Sequence, residues 1–219
     1  MKSKGKNPGN HIAWCLKQKR GIKLEEPNSN LCEVYIKKAK SSLNMLSSAL
    51  DKDEVDWIAS TAYYARYFVC YALLQKIGIK SEIHDCTISL MHFLFVEEGL
   101  IQEDLYQELQ SAKELRVDTQ YYVAEDIDDK ILKTDSEKAR GFVLKMEEVI
   151  EQCSEEHIQT AREKLNGIAA KKKISHTFSS EQHKKTKKGS LSINTVKFKN
   201  GENLSREVDE VLYGGKTCK

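Results

Sequence analysis

Residues 56–91 read DWIASTAYYARYFVCYALLQKIGIKSEIHDCTISLM, and this stretch decides the fold. Ile58, Ala62, Ala65, Val69 and Ala72 recur at helical spacing and form one stripe. The small residues on it allow a neighbouring helix to approach closely. Tyr64, Phe68 and Tyr71 form a second stripe, so the helix is apolar over much of its circumference. That pattern predicts the central, most buried helix of a bundle. The carboxylates of Asp53 to Asp56 suit its first turn, and Gly78 ends it.

On the N-terminal side, Leu31, Val34, Tyr35, Ala39, Leu43, Leu46 and Leu50 predict an amphipathic helix of about five turns. Asn28, Ser29 and Asn30, in the turn after Pro27, are all competent N-caps. His11 to Arg20 suits a short helix stopped by Gly21. On the C-terminal side a third helix is predicted from His84 to Phe95, with Ser81 as its cap and Gly99 in the break that follows. Gln102 to Tyr122 is helical again, and Glu125 to Lys133 reads as an acidic loop. Asp135 or Ser136 caps a last long helix that runs towards Asn166-Gly167. Its face carries Ala139, Phe142, Val143, Met146, Val149, Ile150 and Cys153.

No proline follows Pro27. About five helices with short connections predict an all-α, antiparallel up-and-down bundle over residues 11–167. Residues 1–10 are expected to be a disordered N-terminus, and 168–219 a basic, largely flexible tail. Within the tail, Ser192 to Lys199 suits a short strand and Ser205 to Tyr213 a short helix.

The net charge of +2 is unevenly spread. Ile168 to Lys219 holds 12 Lys/Arg against 5 Asp/Glu, a net of +7, which leaves −5 for Met1 to Gly167. None of the six cysteines, Cys15, Cys32, Cys70, Cys86, Cys153 and Cys218, stands in a C-x-x-C pair. Free thiols in a cytoplasmic protein are therefore expected, not a disulfide framework. No segment has the run of about 18 apolar residues that a membrane helix needs.

Reactive constellations are sparse. The cluster Tyr63, Tyr64, Tyr67 and Tyr71 reads as core packing, and His84 and His92 are too far apart along a helix for a metal pair. No metal and no cofactor are expected. Leu115 to Val123, LRVDTQYYV, has the most chemical content. Arg116, Gln120 and Val123 share one helical face, and Asp118, Tyr121 and Tyr122 another. Such an arginine can hold a phosphate or stack on a base. It can equally pair with Asp118 or Glu114 while the tyrosines close the bundle.

Three stretches taken together resemble one family. They are WCLKQKRGIKLEEPNSN (14–30) leading into YIKKAKSSLNML (35–46), the stretch 56–91, and AKELRVDTQYYV (112–123) followed by an acidic loop and EKARGFVLKMEEVIE (137–151). In this order the chain resembles HEPN-domain proteins, of the compact prokaryotic type encoded beside minimal nucleotidyltransferases. The resemblance covers about residues 11–155. It implies an antiparallel helical bundle that forms a homodimer. Many members are metal-independent RNases with an arginine followed, after four to six residues, by a histidine. Some are toxins silenced by a partner nucleotidyltransferase that adds AMP to a nearby tyrosine. Arg116 matches the motif arginine, but Tyr121 stands where the histidine would be.

The resemblance implies a non-catalytic HEPN partner of a minimal nucleotidyltransferase in a toxin–antitoxin-like pair, binding RNA or nucleotide through Arg116, Asp118 and Tyr122. The alternatives are a weak metal-independent endoribonuclease using Arg116 with Tyr121, and a non-catalytic helical scaffold.

Overall fold

The computed structural model describes residues 8–121 and 128–180. It is an all-α helical bundle with one two-stranded sheet. The elements run α1 (Pro8–Cys15), β1 (Lys23–Leu24), α2 (Ser29–Leu50), α3 (Val55–Lys76), β2 (Ile79–Lys80), α4 (His84–Met91), a π-helical turn (His92–Val96), α5 (Glu103–Tyr121), α6 (Asp129–Gln152) and α7 (Glu155–Ser180). The contacts below lie within the compact unit Met1–Ile174. The second unit, Ser175–Lys219, contributes only the end of α7 to the described residues. The strand and helix expected in 192–213 lie outside them.

α3 is the central helix, with 15 of its 22 residues buried. Val69, Ala65 and Ala62 are fully enclosed, and Gly78, at φ +71°, ends the helix as expected. A Cβ at Gly78 would lie 2.4 Å from both the Glu25 carbonyl oxygen and the Arg162 guanidinium, so only glycine fits. The chain then pairs Ile79 with Leu24 and Lys80 with Lys23, antiparallel. Arg162 on α7 seals this corner by donating to the carbonyls of Glu25, Ile77 and Gly78 at 2.7, 3.0 and 3.2 Å.

α2 lies along α3 and is capped by Asn28, whose side chain accepts from the Leu31 amide at 2.9 Å. Its buried stripe is Cys32, Ala39, Leu43, Leu46 and Ala49. Leu31, Val34 and Leu50, expected on that stripe, are exposed instead. An outer helix covered on one side buries a narrower arc than its apolar residues span.

Other expectations are corrected at helix ends. α6 begins six residues before the predicted cap. Asp128 caps it through the Lys130 amide at 2.9 Å, and Asp135 and Ser136 lie inside the helix. Much of the expected acidic loop is therefore helical. The last helix does not run on unbroken: the backbone turns extended at Cys153, and α7 starts afresh, passing Gly167 to reach Ser180. The third helix ends at Met91 and continues as the π-turn, where the Glu97 amide reaches back to the His92 carbonyl. The five expected long helices are thus α2 to α6; α1 answers to the short helix expected over His11 to Arg20, and α7 takes over the second half of the expected last helix.

The strongest departure concerns cysteine. Cys15 on α1 and Cys86 on α4 form a disulfide, although 71 residues separate them. Local spacing cannot reveal such a pair, because the two cysteines lie on separate helices far apart in the chain. Cys32, Cys70 and Cys153 are buried free thiols.

One charged group sits at the centre. Arg66 on α3 is fully buried. Its Nε donates to Glu108 of α5 at 2.8 Å. Its other nitrogens reach the Asp135 carboxylate of α6 at 3.1 and 3.2 Å, the Asp135 carbonyl at 2.7 Å and the Ala62 carbonyl at 3.1 Å. Burial holds the Asp135 carboxyl above its ordinary value, against the pull of Arg66.

Two predictions follow from these contacts. In denatured protein, reductant should raise the thiol count by the two sulfurs released from the Cys15–Cys86 bond, and Cys15→Ser with Cys86→Ser should abolish that rise. Arg66→Met should cost about 3–5 kcal/mol in denaturant unfolding, because two carboxylates lose their buried counter-charge. Adding Glu108→Gln and Asp135→Asn should recover part of that loss.

Candidate functional site

On α3, Ser60, Tyr63, Tyr64 and Tyr67 share one face at helical spacing. The short connection through β2 folds the chain back, so that the first residue of α4, His84, lands on this face. Its ring stacks on Tyr67 with centroids 4.1 Å apart and planes 7° apart. The Tyr63 hydroxyl and His84 Nδ1 are hydrogen-bonded at 2.6 Å.

α5 supplies the cations. The Arg116 guanidinium lies over Tyr63 at 5.7 Å and Tyr64 at 5.3 Å, measured to the ring centroids. One turn further on, Gln120 donates to Ser60 at 2.8 Å and fixes the rotation of the helix. One turn earlier, Lys113 pairs with Asp85, the neighbour of His84. Among the described residues the Arg116 guanidinium has no hydrogen-bond or carboxylate partner, and its Nε is enclosed without one. An arginine placed on aromatic faces keeps its forked donors available for a ligand.

The electrostatics follow from this packing. His84 is pushed down to about 4, first by burial and then by the charges of Arg116 and Lys113, with Asp85 opposing. At neutral pH it is therefore an uncharged imidazole. Burial pushes the Tyr63 and Tyr67 hydroxyls far above the ordinary phenol value, so neither ionises. The site thus offers a fixed positive charge, a neutral nitrogen base and aromatic faces. That combination suits an oxyanion such as a phosphodiester.

Of the residues singled out in the sequence, Arg116 is half-buried at the centre of this cluster. Asp118 is exposed and makes no ion pair with it among the described residues. Tyr121, the last residue of α5, is 44% exposed and lies about 140° around the helix from Arg116. Tyr122 is outside the described residues. The sequence reading missed His84, Tyr63 and Tyr64 as companions of Arg116. The available signal was a tyrosine-rich helix face followed by a short turn and a histidine. That signal carries no information about which helix closes over it. Among the described residues no group of three or more His, Cys, Asp or Glu could hold a metal ion, and no helix is long and apolar enough to cross a membrane.

The family model described as HEPN domain matches residues 32–164 of the chain. That span contains every residue of the cluster. No curated protein matches the chain.

The neutral state of His84 has a measurable signature. Its folded pKa lies below the ordinary value of 6.5, so its contribution to stability is full above that value. The contribution is lost as pH falls towards about 4. The thermal midpoint should decline across this window, and His84→Gln should flatten the decline. In NMR titrations the His84 ring should protonate near 4, and Arg116→Ala should raise that midpoint. An ordinary midpoint in the parent would contradict the enclosure described here.

Proposed function

The chain belongs to the HEPN-domain family, and from that premise we propose that it is an RNA-binding helical module. In this reading it acts as a cytoplasmic homodimer and as the partner of a minimal nucleotidyltransferase in a toxin–antitoxin-like pair. The observation that carries the RNA reading is the Arg116 guanidinium, unpaired among the described residues and held on Tyr63 and Tyr64. Most other cations of the site region are committed: Lys113 pairs with Asp85, and Arg66 with Glu108 and Asp135. A guanidinium can grip two phosphate oxygens at once, and the flat rings beneath it suit an unpaired base. Asp118 and Tyr121 are exposed on the same helix, turned away from the Arg116 face, and are available there to a partner. The basic tail adds phosphate contacts without sequence preference.

A second reading, slow metal-independent RNA cleavage, is favoured by His84. When Nδ1–H donates to the Tyr63 oxygen, Nε2 keeps a lone pair, and it has no protein partner among the described residues. It can then accept the proton of a ribose 2′-hydroxyl as that oxygen attacks the adjacent phosphorus. The 5′-oxygen leaves and takes a proton from water, and a 2′,3′-cyclic phosphate remains. An imidazole held at about 4 is a weak base, so this route is slow.

Fluorescence anisotropy with labelled single-stranded RNA tests the first reading. Arg116→Ala should weaken binding about tenfold or more, with the helical circular-dichroism signal unchanged. Arg116→Lys should recover only part of the affinity, because it keeps the charge and loses the fork. A pull-down with the nucleotidyltransferase encoded beside the gene, if there is one, should show the same ranking. Parental binding by Arg116→Ala would leave the residue a structural role. Brisk cleavage by the parent, abolished by His84→Gln or Tyr121→Phe, would put the enzyme reading first.

A further inference from the structure

The rings beneath Arg116 do not stop at the site. Tyr64 stacks on Phe68, one turn along α3, with centroids 5.6 Å apart and planes 20° apart. Phe68 in turn meets Tyr35 of α2 at 6.2 Å. At the far end the Lys38 ammonium lies 5.0 Å from the Tyr35 centroid and 5.4 Å from that of Phe68. The result is a continuous strip across the α2–α3 interface, with a cation on its rings at each end.

We propose that Tyr64, Phe68 and Tyr35, flanked by Arg116 and Lys38, form a stacking track for single-stranded RNA that leads away from the phosphate seat at Arg116. This rests on the RNA-binding reading above and gives it a direction and a length.

Three observations carry it. First, the strip rings are only half-buried, whereas the neighbouring core rings Tyr63 and Tyr67 are 0% and 6% exposed. The strip rings rest against the core, and part of each is left open to solvent. Second, Lys38 is exposed and has no carboxylate partner among the described residues, although the body of the chain carries an excess of acid. Like Arg116, it places positive charge beside an aromatic face. That pairing binds unstructured strands: phosphates take the cations and bases take the rings. Third, the strip has a length: the three rings of Tyr64, Phe68 and Tyr35 lie between the two cations, which suits about three nucleotides, one per ring. The ring spacings exceed the ~3.4 Å rise of stacked bases, so the bases it accepts are splayed, as in single strands and loops and not in a duplex.

The experiment uses the full chain and two probes, a labelled single-stranded RNA decamer and an unlabelled dinucleotide competitor. Tyr35→Leu and Phe68→Leu keep apolar volume and remove the flat ring. Each should weaken decamer binding about fivefold or more and leave dinucleotide competition unchanged. Lys38→Gln, at an exposed position, should lower the slope of log affinity against log salt by about 0.7. Arg116→Ala should weaken both probes. If the ring and lysine variants bind the decamer as the parent does while Arg116→Ala does not, the track is wrong and the site at Arg116 stands. If Arg116→Ala binds both probes normally, the underlying reading fails instead. Light scattering supplies the last check: ring variants that dissociate the oligomer in step with losing RNA would make the strip a subunit contact and overturn the proposal.

Discussion

A guanidinium removed from water has to be neutralised where it stands, and Arg66 meets that demand by drawing two other helices onto α3. Its fork reaches Glu108 on α5 and both the carboxylate and the carbonyl of Asp135 on α6. Hydrocarbon packing alone would tolerate small slides and rotations of these helices against one another. A buried ionic knot does not, since any shift that breaks a contact leaves an uncompensated charge. The register of α5 is therefore fixed two turns before Arg116. Gln120 on Ser60 fixes it again one turn after. Arg116 is held between these two points over Tyr63 and Tyr64.

The site depends on that clamp. Arg116 receives no carboxylate of its own among the described residues, so its position is set by the helix it rides on and by the weak attraction of ring faces. The same geometry accounts for His84. Enclosure by tyrosines and the approach of two cations keep its imidazole neutral. A neutral base beside a fixed positive charge is a division of labour suited to phosphate chemistry. The low basicity of that imidazole is what places binding before cleavage in the proposed function.

The Cys15–Cys86 disulfide holds α1 against α4 two residues after His84. Together with the hydrogen bond between His11 and Ser89 at 2.7 Å, it fixes the helix that presents the imidazole. The N-terminal helix thus supports the site from behind without contributing a group to it. Arg162 plays a similar part at the other end of α3. It donates to three carbonyls around Gly78, where the tight turn follows the end of the helix.

What the sequence determined by itself was local. The stripes of α3, a cap among Asn28, Ser29 and Asn30, and the stop at Gly78 are all decided within about four residues of chain, the reach of one helical turn. The distributed pattern that resembles the HEPN family, and Arg116 within it, were legible for the same reason: they are an order of such local features. The tertiary structure decided what lies across helices. Tyr63 meets His84 over 21 residues, Arg66 meets Glu108 over 42 and Asp135 over 69, and Cys15 meets Cys86 over 71. Asp135 reads as a cap in sequence because aspartate favours helix starts. It became an ion-pair partner only because α6 began earlier and turned that side chain towards Arg66. Periodicity shows which face of a helix is apolar, but the rotation and stagger of one helix against another are set by packing the whole core at once. For that reason His84 could be read as a residue near a cap, and only the folded chain could place it beside the arginine.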